Sequence, residues 1–127
     1  MSRQEIVARV IVFTLLVLLP AGLLLYERTT GTDTLDLQAR VVENGGWSPA
    51  VITLAAGRTT TMRIRAMDVM HGLRIDELGI DLPELEPGKV HIVRVTPEEE
   101  LNFSFSCSTY CSPFHDEMGG RLEVSPR

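Results

Sequence analysis

Residues 103–118 read Phe-Ser-Phe-Ser-Cys-Ser-Thr-Tyr-Cys-Ser-Pro-Phe-His-Asp-Glu-Met, and this stretch indicates both a strand and a metal-binding loop. At its start, Phe103 and Phe105 alternate with serines, which is typical of a β-strand with one buried face. The rest has the spacing C-x3-C-x3-H-x2-M, and apolar alternation resumes at Leu122 and Val124. The loop between the two strands therefore carries four soft or borderline metal ligands: Cys107, Cys111, His115 and Met118.

Short strand-like runs of the same kind fill the chain before this loop. Five further segments alternate apolar with polar residues or form brief apolar runs between turn residues: 35–41, 51–54, 62–66, 69–75 and 90–95. In the last of these, the pattern leaves open which face is buried. About seven short strands without a helical period predict an all-β domain, a Greek-key β-sandwich or barrel. Segment 80–88 is predicted to be a loop, because a central strand would not accept Pro83 or Pro87.

The N-terminal part of the chain predicts one transmembrane helix. Residues 10–26 contain no charged side chain, and a helix of that length spans ~25 Å of a hydrocarbon core about 30 Å thick. A cleaved signal peptide is the competing interpretation, but residues 20–22 lead back into three leucines and no A-x-A cleavage pattern follows. Arg3 and Arg9 precede the apolar run and Arg28 follows it, which favours a cytoplasmic N-terminus. We therefore expect a single-pass protein of the cell membrane with its larger part on the periplasmic or outer face.

These patterns divide the chain into an anchor at 1–28, a polar linker at 29–33 and a β-domain at 34–127. The formal net charge is −5, and the first thirty residues carry three arginines against two glutamates, so the acidic excess lies in the β-domain. Nucleic-acid binding needs clustered Lys and Arg, so the charge excludes nucleic acid as a partner. An acidic domain suits a basic protein partner instead.

The ligand types in the loop favour copper. Thiolate, imidazole and thioether together select copper over magnesium, calcium or manganese. Zinc would accept two cysteines and a histidine, but it has little use for a methionine. A second imidazole must come from another part of the chain, and His71 is the best candidate. His91 lies within a strand-like run and is predicted to be an ordinary strand residue.

The segment Asp68-Val69-Met70-His71, followed by the C-x3-C-x3-H-x2-M loop, resembles the binuclear copper A centre. That centre belongs to subunit II of haem–copper (cytochrome c) oxidases and to nitrous oxide reductase. The resemblance covers most of residues 34–127 and implies a cupredoxin-like fold. One predicted anchor fits a subunit II with a single spanning helix, whereas nitrous oxide reductase has a large propeller domain for which this chain has no room.

The resemblance also implies the ligands of two copper ions, which are His71, Cys107, Thr109, Cys111, His115 and Met118. In that family both thiolates bridge the two ions, each imidazole binds one ion, and the thioether is a weak ligand to one. The remaining ligand is a backbone carbonyl, here that of Thr109, at a position where the family usually has Glu. Because that ligand is a main-chain oxygen, the change alone should not abolish the site.

The resemblance implies electron transfer without catalytic residues in this chain. The chain would accept single electrons from cytochrome c or a small copper protein and pass them to haem in catalytic subunit I of an oxygen-reducing, proton-translocating complex. A copper chaperone would load the site. The alternatives are a stand-alone membrane-anchored cupredoxin carrier or a copper-delivery protein, the latter suggested by methionines near His71: Met62, Met67 and Met70.

The loop also departs from the family pattern. Ser112 stands where the family commonly has Gly and is followed by Pro113. Asp116 and Glu117 add two acids beside the proposed ligands, and we expect them to lower the reduction potential by favouring the oxidised charge state. The aromatic-rich electron-entry segment of many subunit II chains is missing, and Trp47 is the only tryptophan.

Two other site chemistries fit the same residues. Cys107 and Cys111 could form a disulfide, because an exported domain meets an oxidising compartment. A mononuclear blue-copper site could use His71, Cys111, His115 and Met118 and leave Cys107 spare. Trp47 has two interpretations as well, a packed core residue or a residue beside the metal centre.

Overall fold

The computed structural model describes residues 2–30 and 32–126. The chain divides into two compact units, residues 1–31 and 32–127. The first unit is helical and the second consists of β-strands joined by turns and short 3-10 helices.

The N-terminal unit is one apolar helix with a widened turn in the middle. Helix α1 covers Arg3–Phe13, a π-helical turn covers Thr14–Leu18, and helix α2 covers Leu19–Thr30. Pro20 has no backbone N–H to donate to the preceding turn, which accounts for the wide turn just before it. Over Arg3–Glu27 the helix is long and apolar enough to cross a bilayer, a criterion that a signal sequence would also meet.

Nine strands form the second unit within its described residues. They are β1 Asp33–Ala39, β2 Trp47–Ser48, β3 Val51–Ala55, β4 Thr60–Ala66, β5 His71–Ile75, β6 Ile80–Leu85, β7 Val90–Val95, β8 Asn102–Ser106 and β9 Gly119–Ser125. One sheet has the order β2-β1-β4-β7 and the other has the order β3-β9-β8-β5-β6. Two pairs, β1–β4 and β3–β9, are parallel. This β-sandwich and the N-terminal apolar helix confirm the predicted fold class.

The core lies between the two sheets and follows the predicted alternation. In β4, Met62 and Ile64 are fully buried, and in β8 Phe103 and Phe105 are buried while the serines beside them are exposed. Strand β7, for which the sequence left the buried face open, exposes 63% of Ile92, so its opposite face turns to the core.

The prediction of a loop over residues 80–88 is wrong for its first part, which forms strand β6. Pro83 is accommodated there because β6 is the last strand of its sheet. In addition, the pairing with β5 slips at this point: His71 faces Leu85, whereas Leu73 faces Leu82. This bulge leaves Pro83 without a register partner in β5, so no ladder hydrogen bond needs its missing N–H.

Candidate metal centre

The predicted ligand loop joins two neighbouring strands whose ends fix its two termini. Ser106 of β8 faces Gly119 of β9 in the antiparallel register. One step further, the Cys107 N–H donates to the Met118 carbonyl at 3.0 Å. The first cysteine and the methionine are therefore held side by side, although they are eleven positions apart in sequence.

The sulfur atoms converge with the His71 ring into one cluster. Cys107 Sγ lies 3.8 Å from Cys111 Sγ and 3.9 Å from His71 Nδ1, and Cys111 Sγ lies 3.7 Å from Met118 Sδ. Within the described residues, the donor atoms of His71, Cys107 and Cys111 all lie within 4.8 Å of one another. The carbonyl oxygen of Thr109 is 3.1 Å from Cys107 Sγ. Five of the six residues predicted as ligands are thus linked by these short contacts.

The two cysteines of the cluster are free thiols, Cys107 buried and Cys111 partly buried, so the structure does not contain the disulfide that the sequence allowed. His71 is fully buried, and Cys107 and Met118 are buried with it. Burial, together with the neighbouring Cys107, raises the pKa of Cys111 to about 11. Two thiols this close do not ionise together readily, and a cation that bound both would displace their protons.

A carboxylate holds His71 by its outer nitrogen. The Nε2 atom of His71 is 2.7 Å from Asp68 Oδ1, and the other carboxylate oxygen accepts from the Val41 N–H at 2.8 Å. Burial would raise the pKa of Asp68, but hydrogen bonds from His71 and from the backbone of Val41 and Val69 lower it to about 2. An ionised carboxylate at Nε2 keeps the proton there and leaves the Nδ1 lone pair facing Cys107.

A second carboxylate lies beside His115. His115 begins a 3-10 turn, His115–Glu117, and its Nε2 is 2.9 Å from Asp116 Oδ1. The Nδ1 atom of His115 is buried and has no hydrogen-bond partner. The Tyr110 ring packs edge-on against the imidazole at a centroid distance of 5.4 Å. His115 is outside the group of donor atoms that lie within 4.8 Å of one another.

These residues fit a copper site. The unpartnered Nδ1 of His115 is an orphaned buried polar atom, which a metal ion would satisfy. The clustered donors are two sulfurs of cysteine, one of methionine and an imidazole nitrogen, the set that selects copper over hard cations. The centre is therefore suited to copper-based electron transfer.

Trp47 is both a packed core residue and a neighbour of the metal loop, the two interpretations that the sequence left open. It is buried and packs edge-on against Phe105 at a centroid distance of 5.5 Å. Its Nε1–H also donates to the Met118 carbonyl at 3.3 Å. Trp47 is thus a core residue that supports the metal loop, and it is not a surface aromatic.

Several apolar side chains around the cluster are exposed. Met70, Tyr110 and Phe114 immediately precede His71, Cys111 and His115 in sequence, and 41%, 71% and 48% of their surfaces are exposed. Of the three methionines noted near His71, Met62 is fully buried, whereas Met67 and Met70 are exposed.

Sequence reasoning did not give Asp68 or Gly72 a role at the site. The backbone N–H of Gly72 donates to Cys107 Sγ at 3.5 Å. For Asp68, the signal available in the sequence was its position three residues before His71. His91 lies in β7, as predicted, and in the register it faces Ile64 of β4.

No protein-family model matches the chain, and no curated protein matches it. Solved structures do match the chain, and they show that the domain has a cupredoxin-like β-sandwich fold. A chain of a haem–copper terminal oxidase dimer matches with a TM-score of 0.62 and 18% identity over 97% of this chain and 100% of that chain.

Two further cupredoxin-like matches cover the β-domain. The periplasmic domain of cytochrome oxidase subunit II (CoxB) of Bradyrhizobium japonicum matches with a TM-score of 0.60 and 13% identity, over 73% of this chain and 83% of that chain. The metal-binding domain of the Cu(I)-exporting P-type ATPase CopA of Streptococcus pneumoniae D39 matches with a TM-score of 0.61 and 21% identity, over 75% of this chain and 87% of that chain. At these identities the likeness establishes the fold alone.

Proposed function

We propose that this chain is the electron-transfer subunit II of a haem–copper cytochrome c oxidase and holds a binuclear copper A centre. The observation that carries the proposal is the pair of free thiols, with sulfurs 3.8 Å apart, beside His71 Nδ1. The ligands would be His71, Cys107, Thr109 through its carbonyl, Cys111, His115 and Met118.

The position of Cys107 favours two copper ions over one. A mononuclear site built on Cys111 would leave Cys107 spare, yet its sulfur is the atom with the most donor neighbours: His71 Nδ1, Thr109 O and Cys111 Sγ. The separation of the two imidazoles fits as well, because histidines that bind different ions do not need to contact each other. When bound, two copper ions that share both thiolates would spread one electron over the cluster.

The protein's own contribution is a set of ligands that stay in place in both redox states. His71 is fixed by Asp68, while the Met118 carbonyl accepts hydrogen bonds from the Cys107 N–H and the Trp47 ring. Ligands held in this way move little when an electron arrives, which keeps the reorganisation small. The hydrogen bond from Gly72 to the Cys107 sulfur and the burial of the cluster would tune its potential.

The surroundings of the centre suit protein partners on both sides of the electron path. Exposed apolar residues beside the ligands would let a donor approach closely, and the acidic Asp116 and Glu117 favour a basic donor such as cytochrome c, or a small copper protein. The acceptor would be haem in catalytic subunit I, where oxygen is reduced. This chain alone would only transfer electrons, and a copper chaperone would supply the metal.

We propose further that residues 1–28 anchor the chain, with residues 29–33 as linker and residues 34–127 as the copper domain outside. The N-terminus would be cytoplasmic and the copper domain periplasmic or on the outer face. The match to the haem–copper terminal oxidase chain supports an uncleaved anchor, because its 97% coverage extends beyond the β-domain.

Purification of the full chain from its native membrane tests the proposal. The chain should co-purify with a haem-containing membrane subunit, and reduced cytochrome c or a small copper protein should pass electrons to that haem. Loss of electron transfer in Cys107→Ser with haem retained would support the role. A chain that purifies without any haem protein would contradict it.

The exposure of two thioethers next to His71 favours copper delivery as the second candidate. Met67 and Met70 are exposed by 48% and 41%, which suits transient Cu(I) contacts. A delivery protein should pass its copper to an apo-acceptor within minutes, whereas an electron carrier should retain copper through dialysis. The amount of copper that the chain retains after incubation with a copper-free acceptor distinguishes a delivery protein from an electron carrier.

A further inference from the structure

The loop with the cysteines lies against β5 because residue 72 has no side chain. Gly72 follows His71, and its N–H donates to Cys107 Sγ at 3.5 Å. A Cβ atom at Gly72 would lie 2.3 Å from Ser108 Oγ and 2.7 Å from Thr109 Oγ1. It would also lie 3.1 Å from the Thr109 backbone nitrogen, which cannot rotate away. A side chain at this position would therefore force the hydroxyls of Ser108 and Thr109 to move and would press on the Thr109 backbone.

On the other side of this contact, Thr109 is tied to strand β6. Its hydroxyl donates to the carbonyl of Pro83. Pro83 is one of the two β6 residues, with Glu84, that the bulge leaves without a register partner in β5. The bulge thus provides an acceptor at the edge of the sheet, directly within reach of the metal loop.

The main chain of Thr109 faces the metal cluster at the same time. Its carbonyl oxygen is 3.1 Å from Cys107 Sγ. A side chain that is held at its hydroxyl restricts the rotation of its own backbone, so the bond to Pro83 also limits where this carbonyl can point. Thr109 is thus hydrogen-bonded both to the β6 bulge and to a cluster sulfur.

We propose that Thr109 is a positioning residue of the metal centre. Its hydroxyl, anchored on Pro83, holds the Thr109 carbonyl at Cys107 Sγ, and Gly72 provides the space in which this arrangement forms. The inference rests on the proposed copper function for its consequence at the metal, where the carbonyl is the main-chain ligand. The tether itself is a property of the chain and can be tested without metal.

The copper-free test uses the full chain in detergent with its thiols reduced. Thr109→Val keeps the shape of the side chain and removes the donor, whereas Thr109→Ser keeps the donor and is the matched control. Cys107 is buried, so its alkylation by iodoacetamide requires local opening of the loop. Loss of one ordinary hydrogen bond should speed alkylation of Cys107 roughly fivefold in Thr109→Val and leave Thr109→Ser close to wild type. Equal rates in all three proteins would overturn the proposal.

The copper arm uses the same three proteins loaded with Cu(II) and desalted. Thr109→Val should bind the wild-type amount of copper with a changed hyperfine splitting, and Thr109→Ser should restore the wild-type spectrum. Identical spectra for wild type and Thr109→Val would overturn the metal part of the proposal. If wild type itself binds no copper pair, the proposed function fails, and the alkylation rates still decide whether the tether exists.

A second variant tests the space at Gly72. Gly72→Ala should lose the wild-type copper spectrum and raise Cys107 alkylation more than Thr109→Val does. Gly119→Ala is the matched control, because a Cβ atom there would meet its nearest neighbour, the Phe105 carbonyl, at an ordinary 3.5 Å. Circular dichroism checks that each variant folds. Equal behaviour of the two alanine variants would contradict the role of Gly72.

Discussion

The two histidines of the metal centre each lie beside a carboxylate, but in opposite surroundings. His71 is fully buried at the start of β5, and its carboxylate partner Asp68 is 22% exposed and accepts two backbone N–H groups as well. His115 lies on a short turn with 24% of its side chain exposed, and its partner Asp116 is 89% exposed. One imidazole therefore belongs to the sandwich, and the other belongs to a solvent-facing loop.

This difference assigns different tasks to the two halves of the centre. A carboxylate with several donors in a partly buried setting contributes real stability and fixes the ring before metal arrives. An exposed ion pair contributes little, so the His115 ring depends on the metal for much of its order. We expect the His71 half to be preformed in the copper-free chain and the His115 half to form on loading.

Removal of either imidazole should have the largest effect on the copper spectrum. It also distinguishes the His71 half of the centre from the His115 half most clearly. His71→Ala should abolish the wild-type copper spectrum, and added imidazole should not restore it, because the cavity is closed to solvent. His115→Ala should lose the same spectrum but recover it with millimolar imidazole, because that edge of the centre is accessible. Titration of both copper-loaded variants with imidazole, followed by electron paramagnetic resonance, measures the effect.

A control for the same experiment is His91→Ala, which removes a histidine of the other sheet and should leave the spectrum unchanged. Equal rescue of both ligand variants would contradict the distinction between a closed and an open half.

The second-largest expected effect concerns the carboxylates Asp68 and Asp116, which should differ in how much they stabilise the copper-free chain. Asp68→Asn removes the charge that accepts hydrogen bonds from His71 and Val41, which should lower the free energy of unfolding by about 2 kcal/mol. Asp116→Asn should stay within about 0.5 kcal/mol of wild type, as for most surface substitutions. Urea unfolding of the reduced full chain in detergent gives both values, and equal losses would show that the two pairs are equivalent.

The contribution of Asp68 should also depend on pH. Its pKa is about 2 in the folded chain against an ordinary value of 3.8, so between these values the unfolded chain binds more protons. The stability difference between wild type and Asp68→Asn should therefore be complete above about pH 4 and shrink as pH falls towards 2. The stability difference between wild type and Asp116→Asn, measured over the same pH range, serves as the reference. A constant difference for Asp68→Asn across this range would contradict the assignment.

The smallest expected effect is on the reduction potential. Asp116→Asn removes a negative charge beside His115 while leaving an oxygen that can accept from Nε2–H, so the potential should rise by tens of millivolts. Glu117→Gln removes the same charge one residue further on and should raise it less. Redox titration of the copper-loaded chains measures both. An unchanged or lower potential in Asp116→Asn would refute the electrostatic role of this acid.

Much of this architecture could be predicted from local pattern. The alternation around Met62 and Phe103 is a direct consequence of a strand with one buried face, so sequence alone gives the sandwich. The soft ligands Cys107, Cys111 and Met118 lie within twelve residues, and a loop between paired strands brings them together. These features depend on neighbours in sequence.

What could not be predicted depends on contacts between distant segments. In the sequence, Pro83 argued against a strand. The sequence does not reveal that β6 is an edge strand with a bulge, which is where a proline can be accommodated. The bond from Trp47 to the Met118 carbonyl joins residues 71 positions apart. The role of Asp68 depends on which nitrogen of the His71 ring faces the sulfurs, and that orientation is visible only in three dimensions.

The central claim is that two copper ions share the two thiolates, and one spectrum tests it most directly. The reduced full chain in detergent is loaded with excess copper, desalted and examined by electron paramagnetic resonance. Hyperfine splitting from one electron shared equally between two copper nuclei is the predicted result. Splitting from a single nucleus, or no bound copper in a folded chain with free thiols, would contradict the claim.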